Sequence, residues 1–154
     1  MTPCESPSST INRNPKRCPI CASGHPLDVI AELDTTWVSA SPVAVLPGYA
    51  CVVARRHVAE PFQLPDDEMV AFWRESMAVA RALSSLFEPR KMNYEIHGNS
   101  IPHLHLHLYP RFPGDPFEGR PIAMDAHGFT RTDDDLRRMA AAIAAVRSGA
   151  SETA

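Results

Sequence analysis

The sequence predicts an α+β fold: an antiparallel sheet of about five strands, one long helix packed on it and a second helix near the C-terminus. Three observations carry this reading. Short β-prone runs broken by turn residues occupy 29–57 and 91–111. A strongly periodic helical stretch lies between them at 64–89, and another follows at 132–147. Strands, a helix, more strands and a helix is the order of an antiparallel sheet with helices packed against it, not of alternating α/β units.

Residues 1–16 are rich in Ser, Pro and Asn, with little to bury, and read as a disordered lead-in. A domain is expected over 17–115, followed by a loop, helix and tail over 116–154. Val29–Leu33 and Trp37–Ala40 are short strands parted by Asp34 and Thr35. In "VAVLPGYACVVARRH" two β-prone runs flank Pro47-Gly48, the pattern of strand, turn, strand. "LPDDEMVAFWRESMAVARALSSLFEP" is the clearest helix, with Asp66 or Asp67 as its cap, an acidic first turn and Pro89 beyond its end. Met69, Phe72, Trp73, Met77, Ala80 and Leu83 recur at steps of three and four and form one apolar face. The strands "KMNYEIHG" and "HLHLHLYPR" come next. A Pro/Gly-rich loop then leads to "TDDDLRRMAAAIAAVR", which Thr132 caps.

A chain of 154 residues is long enough for one domain with a real core. Its 44% hydrophobic and 21% charged residues are ordinary for a globular protein, and a net charge of −3 leaves no basic footprint for nucleic acid or an anionic membrane. No apolar run reaches the roughly 18 residues of a membrane span. The N-terminus lacks the apolar core of a secretory signal, so a cytoplasmic location is expected. Thiols stay reduced there, which makes Cys4, Cys18, Cys21 and Cys51 free thiols or metal ligands rather than disulfide partners.

The chemistry-bearing segment is "HGNSIPHLHLHLYPR". Side chains alternate along a strand, so His103, His105 and His107 share one face while Leu104, Leu106 and Leu108 share the other. Burying three unpaired imidazoles is costly, so the histidines are expected to face a cleft or a ligand. Two uses fit that spacing. His-x-His on a strand presents two nitrogens to one metal. Alternatively, a neutral imidazole, with an ordinary pKa of about 6.5, can attack a phosphorus while its neighbours serve the oxygens. Cys18-Pro-Ile-Cys21 is a second signal, half of a tetrahedral zinc site. His25 would complete it locally as C-x2-C-x3-H, and Cys51 is also available.

The motif His103-Leu-His105-Leu-His107-Leu-Tyr109, followed by Pro110-Arg111, resembles the signature of the histidine triad (HIT) family. "PVAVLPGYACVVARRH" is similar to that family's Pro-Gly-His and basic segment, with Tyr49 in place of the usual histidine. The resemblance covers residues 18–115. It implies a nucleotide hydrolase or transferase acting at the α-phosphate of a nucleoside ester, phosphoramidate or dinucleoside polyphosphate. His105 is implied as the nucleophile that forms a nucleotidyl-histidine intermediate, with His107 supporting it. Asn93, Asn99 and Ser100 are implied as phosphate contacts and Asp34 as a ribose contact, the last also fitting a turn. Relatives with an N-terminal Cys-x-x-Cys imply one structural zinc per chain on Cys18, Cys21, His57 and His103. A homodimer acting on a small nucleotide, with no nucleic-acid or membrane partner, is implied as well. The alternative is a non-catalytic nucleotide-binding module that keeps the structural zinc. Trp37 reads as core, with base stacking as the alternative, and His97 as either facing the cleft or exposed. His25 and His127 read as surface residues in loops.

Overall fold

The computed structural model describes residues 15–123 and 128–149. The strands are β1 (Val29–Glu32), β2 (Thr36–Ser39), β3 (Val43–Ala44), β4 (Ala50–Ala54), β5 (Lys91–Ile96), β6 (His105–Arg111) and β7 (Phe129–Thr130). The helices are α1 (Pro19–Ser23), α2 (Asp66–Phe87) and α3 (Asp133–Gly149). Five strands form one antiparallel sheet in the order β1-β2-β4-β6-β5. The expected α+β architecture is therefore present.

Strand alternation decides what each face of this sheet does. Val38, Val52, Leu106 and Leu108 project into the core, joined by Leu104. Phe72, Val79, Ala80 and Leu83 of α2 and Met139 and Ile143 of α3 close over them. Leu104, Leu106 and Leu108 are at most 1% exposed, and burying each contributes about 1.5–3 kcal/mol. The opposite face carries cross-strand rows set by register: Trp37, Val53 and His105 in one, and Ser39, Cys51, His107 and Glu95 in the next.

Some local expectations need correction. The segment around Pro47-Gly48 is not a hairpin. Both edges of β4 are occupied by β2 and β6, so β3 pairs instead with β7 in a separate two-stranded sheet. The turn itself needs Gly48, whose φ is +72° and where a Cβ would lie 2.6 Å from the Phe87 ring. At the start of α2 the cap position is Pro65, with no side-chain cap bond, and Asp66, Asp67 and Glu68 fill the first turn. Their carboxylates therefore act on the helix dipole rather than as caps. The buried face of α2 is Phe72, Ser76, Val79, Ala80, Ala82 and Leu83. It is rotated from the predicted stripe because α3 packs beside the sheet, which leaves Trp73 37% exposed on the flank. Ser76 is accommodated by donating to the Phe72 carbonyl at 2.7 Å. Thr132 does cap α3: its hydroxyl accepts from Asp135 N at 3.1 Å while Asp135 accepts from Thr132 N at 3.0 Å.

The predicted lead-in lies outside the described residues up to residue 14, as do Cys4 and His127. Pro15–Arg17 form a 3-10 turn, and Cys18 N donates back to the Pro15 carbonyl at 3.1 Å. No helix among the described residues is long and apolar enough to cross a membrane.

Candidate metal and histidine site

Cys18 immediately precedes α1 and Cys21 lies within it, so one helical turn aims both thiols at the sheet. His57 follows the end of β4, and His103 precedes β6. The ligand atoms of these four residues all lie within 4.8 Å of one another. Cys18 Sγ is 3.4 Å and Cys21 Sγ 3.7 Å from His103 Nδ1. His57 Nδ1 is 3.2 Å from Cys21 Sγ and 3.3 Å from His103 Nδ1. A tetrahedral zinc, with nitrogen at about 2.0–2.1 Å and sulfur at about 2.3 Å, requires ligand-to-ligand edges of roughly 3.4–3.8 Å. The four residues fit such an ion.

The tautomer of His103 fits too. Its Nε2 is 2.7 Å from the Ala54 carbonyl, which only accepts, so that nitrogen carries the hydrogen and Nδ1 keeps its lone pair toward the cluster. Burial holds His103 below the ordinary imidazole range, against the pull of the Ala54 carbonyl. Burial, and then the Cys18 thiol, push Cys21 up to about 11. A metal entering here must displace thiol protons. The two local alternatives are outside the cluster. His25 is exposed and bonds the Pro26 carbonyl at 2.8 Å, and Cys51 sits across from His107.

His105 repeats the backbone device in the opposite sense. Its Nδ1 donates to the His103 carbonyl at 2.6 Å, leaving the Nε2 lone pair available. That is the tautomer a nucleophile needs. The His107 ring meets it edge-on, with centroids 4.9 Å apart. Burial, with His105 and His97 adding to it, pushes His107 down to about 4, so this ring is neutral near pH 7.

The other predicted residues fall into two groups. Asn93 pairs in register with Tyr109 on the strand beside β6. Asn99 and Ser100 are exposed on the loop between β5 and β6, and Asp34 is exposed at the β1–β2 turn. Trp37 is buried, 8% exposed, but on the sheet face that carries His105 rather than in the main core, with the Arg55 guanidinium carbon 5.2 Å from its ring centroid. His97 is exposed and also lies near the triad: its ring centroid is 5.6 Å from that of His107, and its Nε2 lies 3.1 Å from Glu95 Oε2. Sequence reasoning missed Glu95, directly opposite His107, and Arg131, which bonds the Tyr49 carbonyl. The alternation Asn93-Glu95-His97 was a usable signal for the first. The buried Arg111–Asp115 pair, joined by two hydrogen bonds at 2.8 and 3.0 Å, ties down the loop after β6.

Comparison with known proteins agrees with this geometry. The family model described as HIT domain matches residues 24–114. The chain belongs to the HIT-domain family. It is 26% identical over 106 residues to the protein named Protein hit of Bacillus subtilis, covering 65% of this chain and 71% of that one. A histidine triad protein from Bradyrhizobium japonicum has a similar fold, with a TM-score of 0.69 and 24% identity over 76% of this chain and 87% of that one. A Zn-bound histidine triad family protein from Mycobacterium smegmatis gives a TM-score of 0.64 at 21% identity, covering 88% of this chain and 99% of that one. The matched segment stops short of β7 and α3, so Arg131 lies beyond it.

Proposed function

We propose that this HIT protein is a nucleotide hydrolase or transferase that works through His105. Nε2 of His105 attacks the α-phosphorus of a nucleoside ester, phosphoramidate or dinucleoside polyphosphate. A P–N bond forms, the bond from phosphorus to the leaving group breaks, and the leaving group departs with its electron pair and takes up a proton. Water or another acceptor then breaks the P–N bond and restores His105. The observation that carries this reading is the 2.6 Å bond from His105 Nδ1 to the His103 carbonyl, because it fixes the free lone pair on the other nitrogen. His107 contacts the phosphate oxygens in the same step, while Asn93, Asn99 and Ser100 donate to them and offset the charge that develops there. Asp34 is assigned to the ribose hydroxyls.

Cys18, Cys21, His57 and His103 hold one zinc. Four protein ligands leave no open position, so its contribution is structural: it ties the N-terminal turn to the strand that carries the chemistry. Residues 17–115 carry the site, and 116–154 complete the core through Met139 and Ile143. The protein is taken to be cytoplasmic and a homodimer, with a second copy covering the open edge of β5. Sedimentation at the mass of one chain across micromolar concentrations would count against the dimer.

A non-catalytic nucleotide-binding module is the competing reading, and binding alone does not separate the two. Turnover does. Adenosine phosphoramidate and diadenosine polyphosphates should be cleaved by the protein and left intact by His105→Ala. A folded protein that binds nucleotide and never releases product refutes the enzyme.

A further inference from the structure

We propose that Tyr49 is a positioning residue for His107: its hydroxyl donates to His107 Nδ1 and so holds the ring in the tautomer that presents an Nε2–H to the substrate. This rests on the reading of the histidine site given above.

Tyr49 Oη lies 2.8 Å from His107 Nδ1. The three rings around this bond are nearly parallel. Tyr49 stacks on Tyr109 at 4.7 Å, and His107 lies 5.7 Å from Tyr109 and 6.0 Å from Tyr49, with interplanar angles of 13–15°. Packing thus sets the plane of the imidazole. The hydrogen bond sets which nitrogen carries the proton.

The direction of that bond follows from chemistry. The Tyr49 hydroxyl also interacts with the Tyr109 hydroxyl, but a phenol is a good donor and a weak acceptor, whereas an unprotonated imidazole nitrogen is a strong acceptor, so the Tyr49 hydrogen goes to His107. Burial pushes Tyr49 well above the ordinary phenol range, so it keeps its hydrogen at any physiological pH. His107 is held neutral and therefore has one hydrogen to place. With Nδ1 accepting from Tyr49, that hydrogen is on Nε2. The reverse arrangement would turn a lone pair toward phosphate oxygens, which are themselves acceptors. His103 and His105 have their tautomers set by backbone carbonyls, but His107 has a hydroxyl instead. The groups around it are His105 on its own strand, Cys51 on β4, Glu95 and His97 on and after β5, and Tyr49 with Tyr109.

Tyr49 is held in turn from the C-terminal segment. Arg131 is 5% exposed, donates to the Tyr49 carbonyl and places its guanidinium carbon 5.9 Å from the Tyr49 ring. Its backbone N donates to the Pro42 carbonyl at 2.7 Å, and another guanidinium nitrogen reaches Met139 Sδ at 3.8 Å. Burying a guanidinium is costly, and with Nε lacking a partner its contacts to the Tyr49 carbonyl and Met139 offset only part of that cost. The segment between β7 and α3 therefore supports the triad from outside the matched HIT domain.

The test is imidazole 15N NMR of the full-length, metal-loaded protein, with His107 signals identified by their absence in His107→Asn. In the unsubstituted protein His107 should be the Nε2–H tautomer. In Tyr49→Phe, which keeps the ring stack, it should become a mixture. Turnover should fall roughly fivefold to tenfold with little change in KM, the loss of one neutral hydrogen bond. Tyr49→His, which restores a donor, should recover part of it. Arg131→Met should broaden or shift the same His107 signals. An Nδ1–H tautomer in the unsubstituted protein overturns the inference, and so does a Tyr49→Phe spectrum in which His107 is unchanged. If the tautomer shifts as expected while no nucleotide is turned over, the positioning of His107 stands and the enzymatic reading fails.

Discussion

His103 and His107 stand four residues apart on one stretch of chain, both held below the ordinary imidazole range by burial, yet their surroundings make them different reagents. His103 gives its Nε2 hydrogen to the Ala54 carbonyl and turns Nδ1 toward two thiols and a second histidine. His107 has Nδ1 against a tyrosine hydroxyl and shares its face with Glu95 and His97. One end of the strand carries a ligand set that fits a metal, and the other is the end proposed to meet a phosphate. The difference lies in the partners, since the residues and their spacing are the same. The tautomer of His103 is set by a backbone acceptor that no side-chain substitution removes. At His107 the partner is a side chain and can be substituted.

The largest expected effect separates the two ends outright. His105→Ala should lower turnover on the order of 10³-fold or more, as removal of a nucleophile does, while zinc content and melting temperature stay close to those of the parent. His57→Ala should do the converse. Zinc content should drop, with a loss of stability of several kcal/mol in thermal melts, and activity should fall only as the strand loosens. His25→Ala should change neither, because its ring bonds the Pro26 carbonyl. Zinc retained in His57→Ala but lost in His25→Ala would show that the ligand set is wrong.

Much of this was legible in the sequence. The period of two in His103–His107 is a property of any strand, so it places leucines and histidines on opposite faces without knowledge of the fold. The long helix, its acidic first turn and the Thr132 cap are local signals and were equally readable. What the sequence did not disclose depends on contacts between distant segments. β3 is released from a hairpin because β2 and β6 already occupy both edges of β4. The buried arc of α2 is set by where α3 lies, and no periodicity within α2 contains that information. Arg131 reaches Tyr49 across 82 residues of chain. Glu95 faces His107 only because of the register between β5 and β6, which the intervening loop decides.

A smaller effect sharpens the comparison through pH. His107 is pushed down to about 4 in the folded protein, whereas an imidazole in the unfolded chain titrates near 6.5. Below about 6.5 the unfolded state binds more protons at this position, so the stability that His107 contributes is complete above that pH and is lost as pH falls through about 4. Melting temperature followed over that window should decline, and less steeply in His107→Gln. Identical slopes would mean that His107 is not the buried neutral group described here. A small effect, comparable to that of Tyr49→Phe, belongs to Asn93→Ala. Turnover should fall roughly tenfold, less than loss of a complete oxyanion donor in a closed site, with zinc content unaffected.

The proposed mechanism requires that His105 become covalently attached to the nucleotide. Intact-mass measurement of the protein mixed with adenosine phosphoramidate and quenched within milliseconds in alkaline denaturant, where a P–N bond to histidine survives, tests it directly. A transient species heavier by one nucleotidyl group is expected, mapped to the peptide carrying His105 and missing from His105→Ala. Turnover of the substrate with no such species at any time after mixing, or the same adduct in His105→Ala, would contradict it.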